Sequence, residues 1–289
     1  MDGVLNIYKP SGISSFDVVR KIMKLCNTRK VGHTGTLDPL ASGVLPICVG
    51  KATKIVDYLM SETKTYRAQL KLGITTDTYD REGSIISEKK VDIPEEAILR
   101  TINQFIGEIE QEPPMYSALK VNGKRLYELA RQGIVIERNK RNITIFDISI
   151  IDISLPIVTF IVTCSKGTYI RSLCHDIGNN LGTGGIMWDL ERTQTGVFKK
   201  ENSIDFSSLN EEVISKNIMQ IEHCLNIFDK VSFSNKYENL LLNGVKIKNT
   251  YIIGSIDMDK ILRVYIDTNK FIGLGKRDEE GFKIIKLLV

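Results

Sequence analysis

The chain has few of the residues that bind transition metals or form disulfides. Its 289 residues include five cysteines and three histidines, and no two cysteines have the Cys-x-x-Cys spacing of metal and redox motifs. Most of the cysteines stand among apolar residues, which is typical of reduced, structural thiols. The sequence therefore predicts neither a disulfide framework nor a metal site. The cysteines are Cys26, Cys48, Cys164, Cys174 and Cys224.

Long apolar runs are also missing, and the charge is nearly balanced. No run is long and apolar enough to span a bilayer, and the N-terminus lacks the basic, apolar and small-residue zones of a signal peptide. We therefore expect a cytoplasmic protein without a membrane association. The net charge of +4 does not by itself indicate a nucleic-acid partner, so local clusters of charge decide that question.

A segment rich in glycine and proline, residues 31–50, carries a single acid, Asp38. Between residues 18 and 56 this acid stands alone among seven basic residues. An aspartate in such a loop is commonly a turn residue whose side chain accepts hydrogen bonds from nearby backbone. A lone carboxylate in a cationic field also suits a catalytic group that works on an anionic substrate. The basic residues are Arg20, Lys21, Lys24, Arg29, Lys30, Lys51 and Lys54.

Three segments around this acid together resemble the TruB family, the bacterial synthases that form pseudouridine at position 55 of tRNA. They are Lys9-Pro-x-Gly-x-Ser-Ser15, the run from Gly32 to Leu45, and Gly50-Lys-Ala-Thr-Lys54. Within the second, Leu37-Asp38-x-x-x-Ser42-Gly43 is similar to the aspartate motif that several pseudouridine synthase families share. The resemblance covers roughly the first two hundred residues well and the last sixty weakly.

The fold class implied by the resemblance is α+β. It comprises a catalytic domain on a largely antiparallel mixed sheet (residues 1–228) and a small C-terminal, PUA-like RNA-binding β domain (residues 229–289). A thumb insertion at about 113–142 would close over the RNA. Sequence periodicity independently predicts strands and helices. The predicted strands are 4–8, 65–73, 143–163 in two runs, 261–267, 270–274 and 282–286, and the predicted helices follow Ser14 and span 98–106 and 170–181.

Three residues match the catalytic positions of the family. Asp38 would be the essential carboxylate, acting either as a nucleophile or as a base on the sugar. Arg171, in the second family block Cys-Ser-Lys-Gly-Thr-Tyr-Ile-Arg, would pair with Asp38 and keep it ionised. Tyr66 would stack on the target base and assist in removing the C5 proton. From the residues alone, periodicity favours a core tyrosine at Tyr66, which is compatible with a pocket wall, and a surface arginine remains the alternative for Arg171.

Further positions match substrate-contacting or supporting residues of the family. His33 would insert into the T-loop as the base flips out, although a loop histidine bonded to backbone is the simpler interpretation. Asp80 would join the active-site network, and a capped turn explains it equally well. Tyr169 would contact the substrate, Leu173 and Leu190 would line the uridine pocket, and Lys9 and Pro10 would support the site.

The thumb segment carries local positive charge with aromatic residues between the charges. From residue 114 to residue 142 there are seven basic and two acidic residues, with Tyr116 and Tyr127 among them. Cations with exposed rings suit RNA, and an ordinary exposed hairpin and helix is the alternative. Two positions depart from the family pattern, Glu191 in place of a common arginine and Gly185 near a common Ala-His. Both departures predict weaker contacts to the tRNA backbone.

The predicted function is isomerisation of the T-loop uridine of tRNA to pseudouridine, with base flipping. The reaction needs no cofactor and no metal. The predicted partner is the tRNA T-stem-loop, with no protein partner and a monomeric enzyme. Two alternatives stay open: an RNA-binding or tRNA-folding module with vestigial catalysis, and a guide-dependent ribosomal-RNA synthase. The intact Asp38, Tyr66 and Arg171 argue against the first alternative, and the thumb-like segment argues against the second.

Overall fold

A computed structural model describes residues 1–121, 123–267 and 269–289 of the chain. The elements, in chain order, are β1 (Gly3–Lys9), α1 (Ser15–Leu25), β2 (Val31–His33), β3 (Ser42–Val49), α2 (Val56–Met60), β4 (Lys64–Leu72), β5 (Ile74–Thr76), β6 (Ile85–Glu88), α3 (Glu95–Asn103), β7 (Gly107–Gln111), β8 (Lys120–Val121), β9 (Lys124–Arg125), α4 (Leu126–Ala130), β10 (Arg141–Ser154), β11 (Ile157–Cys164), α5 (Ile170–Asn180), β12 (Gly185–Thr195), β13 (Phe198–Lys199), β14 (Ile204–Asp205), α6 (Glu211–Asn217), α7 (Ile221–Cys224), β15 (Lys230–Phe233), α8 (Glu238–Leu242), α9 (Thr250–Ile253), β16 (Leu262–Ile266), β17 (Lys270–Asp278) and β18 (Gly281–Leu287).

One large mixed sheet organises the catalytic part of the chain. Its strand order is β14-β1-β3-β12-β4-β11-β10-β7, with β13 beside β12 and β2 beside β3. The β1–β14 and β3–β12 pairs are parallel, and the other pairs are antiparallel. The predicted α+β class with a largely antiparallel mixed sheet is therefore confirmed. Strand β12 lies between β3 and β4, although those two strands are neighbours in sequence.

Local sequence patterns place the first helix and the central strand β4. The Ser14 hydroxyl accepts a hydrogen bond from the Asp17 backbone N–H, and the Asp17 carboxylate accepts from the Ser14 backbone N–H. This capping box satisfies orphan donors at the start of α1. Along β4, Tyr66, Ala68 and Leu70 alternate with more exposed residues, as the period of two predicts. The helix predicted at 98–106 is wrong at both ends, because α3 begins just after Pro94 and gives way to turns beyond residue 103.

The two faces of the large sheet bury different apolar clusters. Leu45 and Ile47 of β3 belong to the main core, which also contains apolar residues of α1, α3 and α5. Val44 and Cys48, with the opposite alternation, pack with α2, α7 and side chains of β17 and the C-terminus. The helices that flank the candidate site therefore lie on one face, and the C-terminal sheet packs against the other.

The C-terminal part forms its own four-stranded sheet with the order β15-β16-β17-β18. Its core is separate from that of the large sheet, which confirms the predicted small C-terminal β domain. The division at residues 228 and 229 stays a prediction, since apolar side chains from both sides of it share one cluster. In the predicted thumb, β8, β9 and α4 enclose a small cluster of their own.

Candidate active site

Asp38 lies in the loop that joins β2 to β3. The Ala41 N–H donates to the Asp38 carbonyl (3.1 Å), so the chain turns at Pro39 and Leu40. The segment between β1 and α1 anchors this turn: the Gly12 N–H donates to the Pro39 carbonyl (2.8 Å), and the Ser11 hydroxyl donates to the Leu40 carbonyl (2.7 Å). The segment Lys9–Ser15 therefore positions the segment Gly32–Leu45 that carries Asp38.

Two buried side chains fix the loop on either side of Asp38. The Ser15 hydroxyl accepts from the Leu37 N–H (2.9 Å) and donates to the Leu37 carbonyl (3.0 Å). The Lys9 ammonium donates to the carbonyls of Pro10 (2.9 Å), Ile13 (2.8 Å) and Pro39 (3.3 Å). Burial lowers the pKa of Lys9 to about 8, and the Asp38 carboxylate opposes that shift. Lys9 and the Pro10 carbonyl thus lie within the scaffold of the loop.

The Arg171 guanidinium joins four oxygen atoms around Asp38. Its Nε lies 2.9 Å from Asp38 Oδ2, and its Nη1 lies 3.5 Å from Asp80 Oδ2. Nη1 also donates to the Thr78 carbonyl (3.4 Å), and Nη2 donates to the Tyr116 carbonyl (2.9 Å). Arg171 therefore pairs with Asp38 and Asp80 at the same time. The guanidinium ties the Asp38 loop, the Asp80 turn and the thumb to the start of α5.

Arg171 is more deeply buried than its partner Asp38. The Arg171 side chain is 7% exposed, and the Asp38 side chain is 34% exposed. The first turn of α5 contains no acidic residue that could offset the unfavourable interaction of Arg171 with the helix dipole. Asp38 and Asp80 supply that compensation from outside the helix. The exposed part of Asp38 leaves its carboxylate accessible to a substrate.

Asp80 serves two purposes at once. Its Oδ1 accepts from the Thr78 hydroxyl (2.6 Å) and from the Glu82 N–H (3.1 Å), as in a capped turn. Its Oδ2 faces Arg171. The turn and the network are therefore compatible interpretations of the same residue.

Tyr66, Leu173 and Leu190 belong to the same apolar cluster. Tyr66 is 8% exposed and has Val162 of β11 and Arg192 of β12 as register partners. Burial raises the pKa of Tyr66, and the positive charge of Arg192 opposes this shift. Leu190 is nearly buried and Leu173 is fully buried. The structure therefore places Leu173 in the core beneath the site.

Tyr169 caps the start of α5, and the buried Gln111 binds both of its backbone groups. The Tyr169 N–H donates to Gln111 Oε1 (2.7 Å), and Gln111 Nε2 donates to the Tyr169 carbonyl (3.1 Å). The Ser172 hydroxyl donates to the Glu112 carbonyl (2.8 Å), which is a second link between the same two elements. The end of β7 and the base of the thumb thus fix where α5 begins, one residue before Arg171.

His33 ends β2, and its ring contacts backbone. The Gly35 N–H donates to His33 Nδ1 (3.3 Å), so this nitrogen carries no proton. Burial also lowers the pKa of His33, with a further contribution from Arg192. Both observations favour the neutral ring with its proton on Nε2. The structure supports the simpler interpretation of a histidine bonded to backbone, and the predicted insertion into RNA stays a prediction.

The two departures from the family pattern have local explanations. The Glu191 carboxylate accepts from the Tyr8 hydroxyl (2.5 Å) and pairs with Lys200 Nζ (2.6 Å), so its charge is compensated. At Gly185, a β carbon would lie 2.8 Å from the Cys174 carbonyl oxygen and 2.8 Å from a Leu70 methyl. Glycine therefore permits the close contact of β12 with α5 and β4.

Sequence reasoning missed Gln111 and the supporting role of Arg192. Gln111 lacks a local signal, because its partner lies 58 residues away. Arg192 does have a local signal in the sequence. Side chains two residues apart on a strand share a face, so Arg192 points into the interior as Leu190 does. A charged residue on a buried strand face indicates a specific partner.

The described residues contain neither a metal-binding cluster of side chains nor a membrane-spanning helix. In the ranges 1–121, 123–267 and 269–289, no group of three or more His, Cys, Asp or Glu side chains could hold a metal ion. Within the same ranges, no helix is long and apolar enough to cross a membrane. All five cysteines are free thiols.

Two family models match consecutive parts of the chain. Residues 20–170 match the TruB family pseudouridylate synthase N-terminal domain, and residues 171–227 match the tRNA pseudouridylate synthase B C-terminal domain. A Clostridium novyi (strain NT) protein named tRNA pseudouridine synthase B is 56% identical over 289 residues and covers all of both chains. A protein of the same name from Alkaliphilus oremlandii (strain OhILAs) is 45% identical, covering 100% of this chain and 98% of its own.

Two solved structures have a similar fold. The chain superposes on one in the crystal structure of a Cbf5-Nop10-Gar1 complex with a TM-score of 0.78 and 29% identity, covering 99% of this chain and 85% of that one. A structure of an H/ACA RNP bound to a substrate RNA containing 2'-deoxyuridine gives a TM-score of 0.76 and 27% identity, with coverages of 99% and 85%.

Proposed function

The chain belongs to the TruB family of pseudouridylate synthases, and from that premise we propose that Asp38 is the carboxylate on which its reaction depends. The protein isomerises uridine to pseudouridine in tRNA. We further propose that the uridine it isomerises is the T-loop uridine at position 55 of the tRNA. The observation that carries the proposal for Asp38 is the 2.9 Å contact between its Oδ2 and Arg171 Nε.

The chemistry requires one carboxylate and a confined base. The N1–C1′ bond breaks, the base turns, and a C5–C1′ bond forms; N1 gains a proton and C5 loses one, so uridine and pseudouridine are isomers. No electrons enter or leave, and the proposal therefore includes no cofactor or metal. The Arg171 guanidinium keeps Asp38 ionised, because an opposite charge held close favours the charged form. The ionised form serves either role of Asp38, as a nucleophile or as a base on the sugar.

The apolar residues near Asp38 suit a flipped uracil ring. Tyr66 and Leu190 would form the walls of the base pocket, with Leu173 as the packing behind them. Tyr169, held by Gln111, would contact the substrate from the start of α5. Extruding a base costs a few kcal/mol, which contacts to the bound RNA must offset. His33 would contribute by insertion into the T-loop.

Positive charge on the thumb suits the phosphate backbone of the T-stem-loop. The segment 113–142 carries Lys120, Lys124, Arg125 and Arg131 on exposed or half-exposed positions. Binding through phosphates weakens as salt rises, because counterions are released on association. We propose that the enzyme works as a monomer, without a protein partner, in the cytoplasm. The basic thumb and the complete Asp38–Arg171 junction within one chain support this.

The test is pseudouridine formation on an unmodified tRNA transcript by wild-type protein and by the Asp38→Asn variant. We expect a single pseudouridine in the T-loop, mapped by carbodiimide adducts and reverse-transcriptase stops. Asp38→Asn should bind tRNA with unchanged affinity and lose at least about 10³-fold in single-turnover rate. The matched control is Asp57→Asn, an exposed acid on α2, which should retain the full rate.

Two other outcomes would contradict the proposal. Substantial turnover by Asp38→Asn would remove this residue from the chemistry. Tight binding of tRNA by wild-type protein with no product would favour the RNA-binding module. Light scattering of the purified protein, alone and with one equivalent of tRNA, measures the oligomeric state; a dimer would overturn the monomer.

A further inference from the structure

Arg192 lies beneath the loop that carries Asp38. It belongs to β12, and its side chain is among the largest that are completely buried, at 1% exposure. Its Nε donates to the Val44 carbonyl (2.7 Å), and its Nη2 donates to the Gly35 carbonyl (3.1 Å). These two carbonyls stand on opposite sides of Asp38, so one guanidinium holds both arms of the loop.

The guanidinium is held by neutral groups. In the part of the chain that the structure describes, Arg192 forms no ion pair with a carboxylate; its side chain donates to two carbonyl oxygens and also contacts the Tyr66 side chain. A buried charge without a countercharge is costly unless its hydrogen bonds are satisfied. Burial lowers the pKa of Lys9, in the scaffold of the loop, and of His33, just before it, and the positive charge of Arg192 lowers both further. A methionine of similar length would avoid this cost, so burying an arginine here points to a specific task.

The backbone near Arg192 shows how tight this arrangement is. Arg192 and Gly43 are register partners in the parallel pair of β3 and β12. A β carbon at Gly43 would lie 2.2 Å from the Arg192 carbonyl oxygen, so only glycine fits this contact. The strand pairing holds the β3 arm of the loop through its backbone, and the Arg192 side chain adds the hydrogen bond to Val44. At the Gly35 arm, the Arg192 side chain supplies the contact from β12.

We propose that Arg192 is a positioning residue for the isomerisation, which fixes the Asp38 loop so that its carboxylate meets Arg171. The inference rests on the proposed role of Asp38. Arg192 acts through the carbonyls of Gly35 and Val44 and does not contact the substrate. Its two donors in a fixed plane span the loop, which a single ammonium cannot do.

The test compares Arg192→Met with Arg192→Lys in three measurements: melting temperature, tRNA affinity, and single-turnover rate at saturating tRNA. Arg192→Met should lose about 10²-fold in rate while its dissociation constant for tRNA changes by less than about threefold, because misplacement of a reacting group reduces rate more than binding. Arg192→Lys keeps the charge and one hydrogen bond, so its rate should be at least tenfold above that of Arg192→Met.

Chemical rescue separates positioning from folding. Arg192→Ala leaves a buried space of the shape of the lost side chain, and added ethylguanidinium should restore a part of the rate in a saturable manner. The matched control is Lys64→Ala, which removes another buried cation that donates to two carbonyls, those of Met60 and Glu62. Lys64→Ala should lower the melting temperature, keep the rate, and show no response to ethylguanidinium.

The outcomes distinguish this inference from the function on which it rests. If Asp38→Asn keeps its turnover, the proposed function fails whatever Arg192 does. If Asp38→Asn is inactive and Arg192→Met keeps the wild-type rate, the positioning role alone is refuted. It is also refuted if rate, affinity and melting temperature of Arg192→Met fall together and neither lysine nor ethylguanidinium restores the rate.

Discussion

At the scale of single residues, Arg171 is the point where separate parts of the chain meet. Its guanidinium contacts oxygens of Asp38, Asp80, Thr78 and Tyr116, which lie in the aspartate loop, the turn after β5 and the thumb. A planar group with five donors can make such contacts in several directions at once, whereas an ammonium is a compact point charge. The position therefore depends on the shape of arginine as well as on its charge.

The first prediction concerns Arg171→Lys. A lysine keeps a positive charge near Asp38 but cannot reach the four oxygens together, so Asp38, the Asp80 turn and the thumb lose their common anchor. We expect the single-turnover rate to fall by about 10² to 10³-fold with affinity for tRNA largely retained. Rapid-quench measurements at saturating tRNA, with filter binding in parallel, test this. The control Arg67→Lys changes an exposed arginine of β4 and should have little effect; a rate for Arg171→Lys within threefold of wild type would refute the prediction.

The sequence predicted which residues meet at the site more fully than how they meet. The blocks around Asp38 and Arg171 are long enough to identify the pair, and the structure places them in contact. The sequence could not predict that Arg171 would also donate to the backbone carbonyls of residues 78 and 116. Long-range backbone partners of this kind have no signature in one sequence. The catalytic and binding roles of the site residues stay predictions.

At the scale of elements, the start of α5 is set by β7. Gln111 is the last residue of β7, and its side-chain amide binds the N–H and the carbonyl of Tyr169. An N-terminal N–H of a helix has no partner within the helix, so a neighbouring acceptor determines where the helix can begin. Strand β7 thereby also determines where Arg171 lies relative to Asp38.

The second prediction is the effect of Gln111→Leu. Leucine fills a similar volume but leaves the two backbone groups of Tyr169 without their partner, and unsatisfied buried groups cost about 1–3 kcal/mol each. We expect the free energy of unfolding to fall by about 2–4 kcal/mol, measured by urea titration. The control Gln69→Leu replaces a partly exposed glutamine of β4 and should change stability little. Equal losses for both variants would show that the amide clamp contributes nothing.

The sequence predicted individual helices and strands better than it predicted which strands pair in the sheet. Alternation identified β4, and the capping box identified α1, because both signals are local. Helix boundaries are harder to predict than the presence of a helix. Helix α3 begins three residues before the predicted position, because Glu95 and Glu96 already have helical backbone. The parallel pairing of β3 with β12 joins residues about 150 positions apart, and no local pattern indicates such a partner.

At the scale of the whole molecule, buried thiols make stability depend on alkaline pH. Burial raises the pKa of Cys48 to about 12, that of Cys164 to about 11, and that of Cys224 to about 12. Burial also raises the pKa of Cys174. In the unfolded chain a thiol titrates near 8.5. Each thiol therefore contributes stability that is complete below that pH and is lost as pH rises toward its folded value.

Two buried lysines act in the opposite direction. Burial lowers the pKa of Lys9 and of Lys64 to about 8. Between that value and the unfolded pKa of about 10.4, the folded state has released protons that the unfolded state still holds, so stability rises with pH. Four thiols outweigh two lysines, and we expect net loss of stability above about pH 9.

The third prediction isolates the contribution of one thiol, with the variant Cys48→Ala. Above about pH 9.5 the variant's free energy of unfolding should fall less steeply than that of wild type, by about 1.4 kcal/mol per pH unit, the equivalent of one proton. Urea titrations in reducing buffer between pH 8 and 10.5 measure the slope. The control Ile47→Val removes a methyl group from the neighbouring core position of β3 and should shift the curve without changing its slope. Parallel curves for Cys48→Ala and wild type would contradict the assignment.

The position of β12 between β3 and β4 has a consequence for how the protein is made. Synthesis delivers β3 and β4 early, but the strand that separates them in the sheet comes about 120 residues later. Until residues 185–195 have emerged, each of these apolar strands presents an open edge, and open edges promote pairing between chains. Arg192 arrives with the same strand. A nascent chain or a product truncated before residue 185 is therefore prone to aggregate, and the enzyme becomes competent only when two-thirds of its length is available.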